Sequence, residues 1–169
     1  MSFPRKEYPE EPPGKSFTPE EAKVKIAAYC VYQERCQKEV REKLFDYGLS
    51  SQEVEKLITS MILEGFLNEE RFAKAYARGK FRLKRWGKLR IKKELKLRML
   101  NDTCINLGLK EIDEQEYWDT LMYLAEKKWL KIQDKEFYKK KNKLYQFLNY
   151  KGFENELIQA VLEQFTENP

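Results

Sequence analysis

The residues able to do chemistry in this 169-residue chain crowd into one stretch. From Arg78 to Arg98 run eleven cations: Arg78, Lys80, Arg82, Lys84, Arg85, Lys88, Arg90, Lys92, Lys93, Lys96 and Arg98, against the single acid Glu94. That window carries +10 in a chain of net charge +5, so the remainder is slightly acidic, at −5. Such clustering creates a positive potential that attracts phosphate backbones or acidic protein surfaces. Phe81 and Trp86 lie within the run and are candidates to stack on bases. The competing explanation is a solvated helical face with both rings in a core. A second cluster, Lys139, Lys140, Lys141 and Lys143, alternates with Glu136, Phe137, Leu144 and Phe147, the pattern of an ordinary amphipathic helix.

Other chemistries find little to build on. With no histidine anywhere, a His-based triad, a His general base and the commonest zinc sets are excluded. Cys30 and Cys36 are poorly spaced for a shared metal, and with Cys104 they are too few and scattered for a disulfide framework, so reduced thiols are expected. Glu20-Glu21 and Glu69-Glu70 sit where acids stabilise helix N-termini. The seven glycines form neither a phosphate loop nor a dinucleotide fingerprint. The expectation is a protein with no catalytic residue, no metal and no cofactor, and hence not an enzyme.

The elements that position the basic run read as helical almost throughout. Thr18-Pro19-Glu20-Glu21 has the form of a helix start, with an N-cap threonine, proline at the first helical position and acids in the first turn. Asn68-Glu69-Glu70 and Asp113-Glu114-Gln115-Glu116 are further starts, with Glu116 at the capping-box position of the latter. Apolar residues recur at helical spacing, as in Val54, Leu57, Ile58, Met61 and Ile62. Long amphipathic helices are expected over Pro19–Gln33, Glu69–Arg85 and Glu114–Leu130.

An internal repeat follows each long helix. Val40, Leu44, Gly48 and Leu49 precede Val54 and Ile58. Ile91, Leu95, Met99 and Leu100 precede Ile105 and Leu109. Leu144, Leu148, Gly152 and Phe153 precede Ile158 and Leu162. Each reads as helix, short turn, helix, with glycine placed where a helix ends at positive φ. Met99 departs from that pattern and predicts a strained or altered turn, and Gly108 makes its last helix weak on propensity. The fold expected is all-α: three tandem three-helix, helix-turn-helix-like repeats at 18–66, 67–111 and 112–166, after a Pro-rich flexible tail at 1–17. At 36% charged residues the chain suits a thin, elongated, surface-rich shape, its small units packing on one another. The third helices of the outer units begin with acids (Glu53, Glu55, Glu154, Glu156), which repel phosphates and disfavour sequence-specific major-groove reading. No stretch approaches the ~20 apolar residues of a membrane span, and Met1 to Ser16 lacks the apolar core of a secretory signal. A cytoplasmic monomer is expected.

Two motifs carry a resemblance. Asn68-Glu69-Glu70-Arg71-Phe72-Ala73-Lys74-Ala75-Tyr76, followed by Trp86-Gly87-Lys88-Leu89-Arg90-Ile91-Lys92-Lys93-Glu94-Leu95, resembles the central signature of the RecX family of RecA regulators. Glu39-Val40-Arg41-Glu42-Lys43-Leu44 to Gly48 is similar to the family's first-unit motif. Met99 stands where the family usually has glycine. The resemblance implies a curved, modular all-α protein lying along the groove of the RecA–DNA filament. There it would bridge protomers, hinder filament growth and suppress ATP hydrolysis and strand exchange, with weak DNA binding besides. Carried over residue by residue, Arg71, Phe72, Ala73 and Tyr76 fall on one motif and Gly87, Arg90, Ile91, Glu94 and Leu95 on the other. Phe72, Ala73, Tyr76, Ile91 and Leu95 read as core, Gly87 as the turn into the next helix, and Arg90 with Glu94 as an i, i+4 ion pair. Arg78, Arg82, Lys84, Arg85, Lys88, Arg90, Lys92 and Lys93 are the candidate contact residues, facing either DNA phosphates or acidic RecA surface. The alternatives are a general single-stranded nucleic-acid binder acting without RecA, which predicts tight, salt-dependent binding to naked strands, and a structural helical adaptor, which predicts neither interaction.

Overall fold

The structure, a computed structural model, describes residues 16–165. Nine helices and no strand are found among them, in three successive groups of three. The first group is α1 (Pro19–Tyr32), α2 (Gln37–Asp46) and α3 (Ser51–Leu63). The second is α4 (Glu69–Lys84), α5 (Lys88–Leu97) and α6 (Asp102–Leu109). The third is α7 (Glu114–Lys131), α8 (Phe137–Lys151) and α9 (Asn155–Gln164).

Local chemistry sets the helix starts. The Thr18 hydroxyl accepts from the Glu21 N–H at 3.3 Å while the Glu21 carboxylate accepts from the Thr18 N–H at 2.9 Å, satisfying two orphan donors reciprocally. Asn68 Oδ1 accepts from the Arg71 N–H at 2.8 Å, and Asp113 Oδ1 from the Glu116 N–H at 2.9 Å. Among the described residues, α7 lacks the reciprocal Glu116 bond that its spacing offers; the Glu116 carboxylate lies 3.8 Å from Arg82 instead.

The first group closes its own core around Ile26, Val40, Leu44, Val54, Ile58 and Met61. Phe17, assigned by sequence to the flexible tail, belongs to this core. It is 8% exposed, its N–H donates to the Tyr47 carbonyl at 3.0 Å, and its ring meets Tyr47 edge-on at 5.2 Å. The rest of that expected tail, residues 1–15, lies outside the described residues. The second and third groups share one continuous core, running from Phe72, Phe81 and Ile91 into Tyr117, Leu144 and Phe153. Cys36, from the α1–α2 connection, is buried in this second core and ties the first group to it. Arg71 adds to that tie: it pairs with Glu34 and donates to the Gly65 and Phe66 carbonyls at 3.1 and 3.3 Å.

Two positions in the second group depart from what propensity suggests. Gly108 weakens α6 as an isolated helix, yet a Cβ there would sit 2.7 Å from the Ala73 carbonyl oxygen, so its bareness is what lets α6 lie against the backbone of α4. Of the two outcomes expected at Met99, strain or an altered turn, the structure has the strained one. A φ of 62° puts Met99 in the same left-handed region as Gly48 at 81° and Gly152 at 94°. A side chain with a Cβ pays about 1–2 kcal/mol for that conformation, and the Met99 side chain, 78% exposed, recovers little by burial. Part of the gain from removing it is lost to the freer unfolded chain. Met99→Gly is therefore expected to stabilise the protein by about 1 kcal/mol, raising the unfolding midpoint by about 2–4 °C in a thermal melt. Destabilisation in that melt would contradict the left-handed assignment.

Candidate interface on the second unit

The basic segment spans the second half of α4, the connection Arg85–Gly87 and all of α5. Helix α4 ends because Arg85 turns left-handed (φ 51°, ψ 45°), and its N–H closes the helix on the Phe81 carbonyl at 2.8 Å. The chain then docks on the turn between α8 and α9. The Gly87 N–H donates to the Lys151 carbonyl at 2.8 Å and the Leu89 N–H to the Gly152 carbonyl at 3.0 Å. A third tie runs through Tyr117: it accepts from the Lys88 N–H at 2.9 Å and donates to the Glu154 carboxylate at 2.6 Å. Burial, reinforced by that hydrogen bond to Glu154, raises the Tyr117 phenol well above its usual range and keeps it a donor. Gly87 itself has φ −72° and ψ 162°, which any residue adopts. Gly87 does stand at the entry to α5, as its N-cap, but the reason for glycine is its close approach to Gly152 rather than its backbone angles.

The fold answers much of the charge that stands unopposed in the sequence. Arg78 pairs with Glu111 at 2.7 Å, Arg82 approaches Glu116 at 3.8 Å, and Lys96 lies 3.6 Å from Asp102. Lys88 pairs with Glu114 and lies over the Tyr117 ring; its side chain is only 17% exposed, so it turns inward rather than toward a partner. These pairs contribute little stability, roughly 0–1 kcal/mol each. Their effect is to lower the local potential with acids from the start of α6, the α6–α7 connection and the start of α7.

The expected Arg90–Glu94 pair does not form. Glu94 is taken by Arg98 at 3.0 Å, which covers the Tyr76 ring with its guanidinium. Arg90 instead lies between two rings, 4.2 Å from the centre of Trp86 and 4.9 Å from that of Tyr150, and donates to the Tyr150 carbonyl at 3.3 Å. Flat guanidinium stacking on aromatic faces outcompetes an exposed one-turn ion pair here. Phe81 is buried, against Tyr117, and is therefore removed as a base-stacking candidate. Trp86 is half-buried, with Lys80 and Arg90 over its faces.

The other motif residues are structural. Phe72, Ala73, Ile91 and Leu95 are buried, and Tyr76 packs half-buried against Phe72. The second lysine cluster is likewise engaged within the protein. Lys139 and Lys143 pair with Glu136 and Asp134, while Lys140 and Lys141 lie over Trp129 and Phe137. Burial pushes the Cys30 and Cys36 thiols up to about 11, and no cluster of three metal-ligating side chains occurs among the described residues.

Two sets of cations are left without a carboxylate partner among the described residues. On α5, Lys92 and Lys93 have no carboxylate within 4 Å among the described residues; with Lys96 they flank Leu89 and Leu97, 50% and 57% exposed, in a shallow groove of about 380 Å³. Lys38 reaches the end of that helix, donating to the Leu97 carbonyl at 3.2 Å. The second set gathers around the docked turns: Lys84, Arg85 over the Tyr123 ring, Arg90, and Lys151, whose ammonium donates to the Lys84 carbonyl at 3.2 Å. Partial burial and then the charges of Arg90, Arg85 and Lys84 hold Lys151 below its usual value. Sequence reasoning missed Lys151, Tyr150 and Tyr123. The only signal for the first two was an aromatic–cation dipeptide beside a turn glycine, which means nothing until Gly152 is known to meet Gly87.

Comparison with known proteins matches residues 68–109 to the family model of the RecX second three-helix domain and residues 114–162 to that of the RecX third three-helix domain. A regulatory protein RecX from Clostridium perfringens is 30% identical over 136 residues, covering 79% of this chain and 63% of the relative. One from Bacillus cytotoxicus is 28% identical over 148 residues, covering 88% of this chain and 55% of the relative. The chain thus spans little more than half to under two thirds of these relatives' length. A crystal structure of RecX from Lactobacillus salivarius superposes with a TM-score of 0.77 at 23% identity, over 86% of this chain and 95% of that one. It bears on the fold alone.

Proposed function

The chain belongs to the RecX family, and from that membership we propose that it is a non-enzymatic regulator that binds RecA on its DNA filament and restrains filament growth, ATP hydrolysis and strand exchange. The observation that carries the contact surface is the outward face of α5. Lysines flanking exposed leucines suit an acidic protein surface with apolar content better than a bare phosphate backbone. A chain of tandem units that touches a filament at more than one point gains avidity from contacts of modest strength. The protein acts as a cytoplasmic monomer; no helix among the described residues is long and apolar enough to cross a membrane. Weak DNA binding accompanies the RecA contact.

The test is RecA's DNA-dependent ATP hydrolysis on single-stranded DNA, with this protein titrated below the RecA concentration. Strong substoichiometric inhibition supports action on the filament. No effect on a cognate RecA would overturn this reading in favour of a general single-stranded nucleic-acid binder, which the clustering of Lys84, Arg85, Arg90 and Lys151 favours and which predicts binding that falls steeply with salt.

A further inference from the structure

We propose that the junction of the second and third units, continued by the groove between α7 and α8, is a binding site for single-stranded nucleic acid. It rests on the weak nucleic-acid binding proposed above, to which it gives a site and a strand chemistry, and its test does not depend on RecA. Lys84, Arg85, Arg90 and Lys151 converge there from two units, and among the described residues none has a carboxylate within 4 Å. Apart from Lys92 and Lys93 on α5, most other cations of the basic segment are paired, and this cluster brings like charges from two units together against repulsion.

The cluster continues into the third unit. Tyr150, 71% exposed, borders both the Arg90 guanidinium and an open groove of about 570 Å³. Lys128 and Lys131 line that groove with Gln133, Gln146 and Phe147; its further lysine, Lys143, is held by Asp134. Cations beside the exposed Tyr150 ring and side-chain amides match a flexible strand: ammonium and guanidinium groups follow phosphates, the ring stacks on a base, amides meet base edges. An acidic protein segment has the charge but not the planar faces, and duplex DNA keeps its bases stacked inside. The chemistry therefore separates this strip from α5, where the cations flank aliphatic side chains. The strip exists only while Gly87 is docked on Gly152, which joins its two halves.

Fluorescence anisotropy of labelled oligothymidylate with the full chain, without RecA, tests the site. Tyr150→Ala is expected to weaken binding by about 5- to 100-fold. Lys131→Glu, a surface change that spares the fold should Tyr150→Ala disturb it, is expected to weaken binding and to flatten the salt dependence by roughly 0.7 of a log unit for each phosphate no longer neutralised. Lys93→Glu, on α5, is expected to bind like the parent. Oligouridylate is the companion probe: binding of either strand that is abolished in Tyr150→Ala supports the site, and the tighter of the two identifies RNA or DNA as its source. Parent-like binding by Tyr150→Ala and Lys131→Glu would overturn the proposal, as would equal weakening by Lys93→Glu, which marks a diffuse positive field. Since RecA is absent, either failure leaves the filament reading to its own ATP-hydrolysis test.

Discussion

Gly87→Ala is expected to cost about 3 kcal/mol or more, lowering the unfolding midpoint by roughly 6–12 °C. A Cβ at residue 87 would lie 2.2 Å from both the carbonyl carbon and oxygen of Gly152 and 2.4 Å from the Phe153 nitrogen. All three are backbone atoms of a turn already fixed by Gly152 at φ 94°, so no flexible side-chain end can yield. Relief requires the two turns to part. That breaks the hydrogen bonds from Gly87 and Leu89 and pulls on the Tyr117 bridge between the Lys88 N–H and Glu154. Because one core runs through both units, parting the turns also opens apolar surface around Phe81, Tyr117 and Phe153.

Gly79→Ala is the matched control. Gly79 lies within α4, and a Cβ there meets nothing within 4 Å. The same methyl is expected to stabilise by about 0.5–1 kcal/mol through helix propensity. Urea titrations of the two variants read both effects. A Gly87→Ala midpoint within error of the parent would mean that the turns do not touch as described.

The contrast between these glycines shows where the sequence stopped being readable. The caps at Thr18, Asn68 and Asp113 and the turns at Gly48 and Gly152 were legible because each is decided within a few residues by hydrogen bonding or a φ sign. Gly87, Gly108 and Gly79 look alike in a sequence, yet one meets a turn 65 positions away, one meets α4 and one meets solvent. The charge count failed for the same reason. Glu111, Glu114 and Glu116 lie outside the window counted as +10, and the fold brings them onto Arg78, Lys88 and Arg82. Arg90 could not be assigned from its i, i+4 partner because its true neighbour, Tyr150, belongs to another repeat. What survived from sequence is the location of the basic unit; what required the structure is its division into two faces of different chemistry.

That division predicts separable losses of function. Reversing Lys92 and Lys93 together to glutamate is expected to raise the concentration needed to inhibit RecA's ATP hydrolysis by about 10- to 100-fold, since rim charges that meet an acidic partner set its encounter rate and like-charge contacts oppose docking. Neither lysine has an internal carboxylate partner among the described residues, so the fold should be spared. Replacing Leu89 and Leu97 with serine should weaken inhibition by a different route. Removing half-exposed aliphatic surface slows no encounter but hastens release, so the salt dependence of inhibition should persist in the leucine variant and shrink in the lysine variant. Tyr150→Ala provides the reverse control: it is expected to lose oligonucleotide binding while keeping most of the inhibition that α5 confers. Full inhibition by the Lys92, Lys93 double variant would remove α5 from the filament contact. It would leave the junction cations, Lys84, Arg85, Arg90 and Lys151, as the basic surface through which the filament is met.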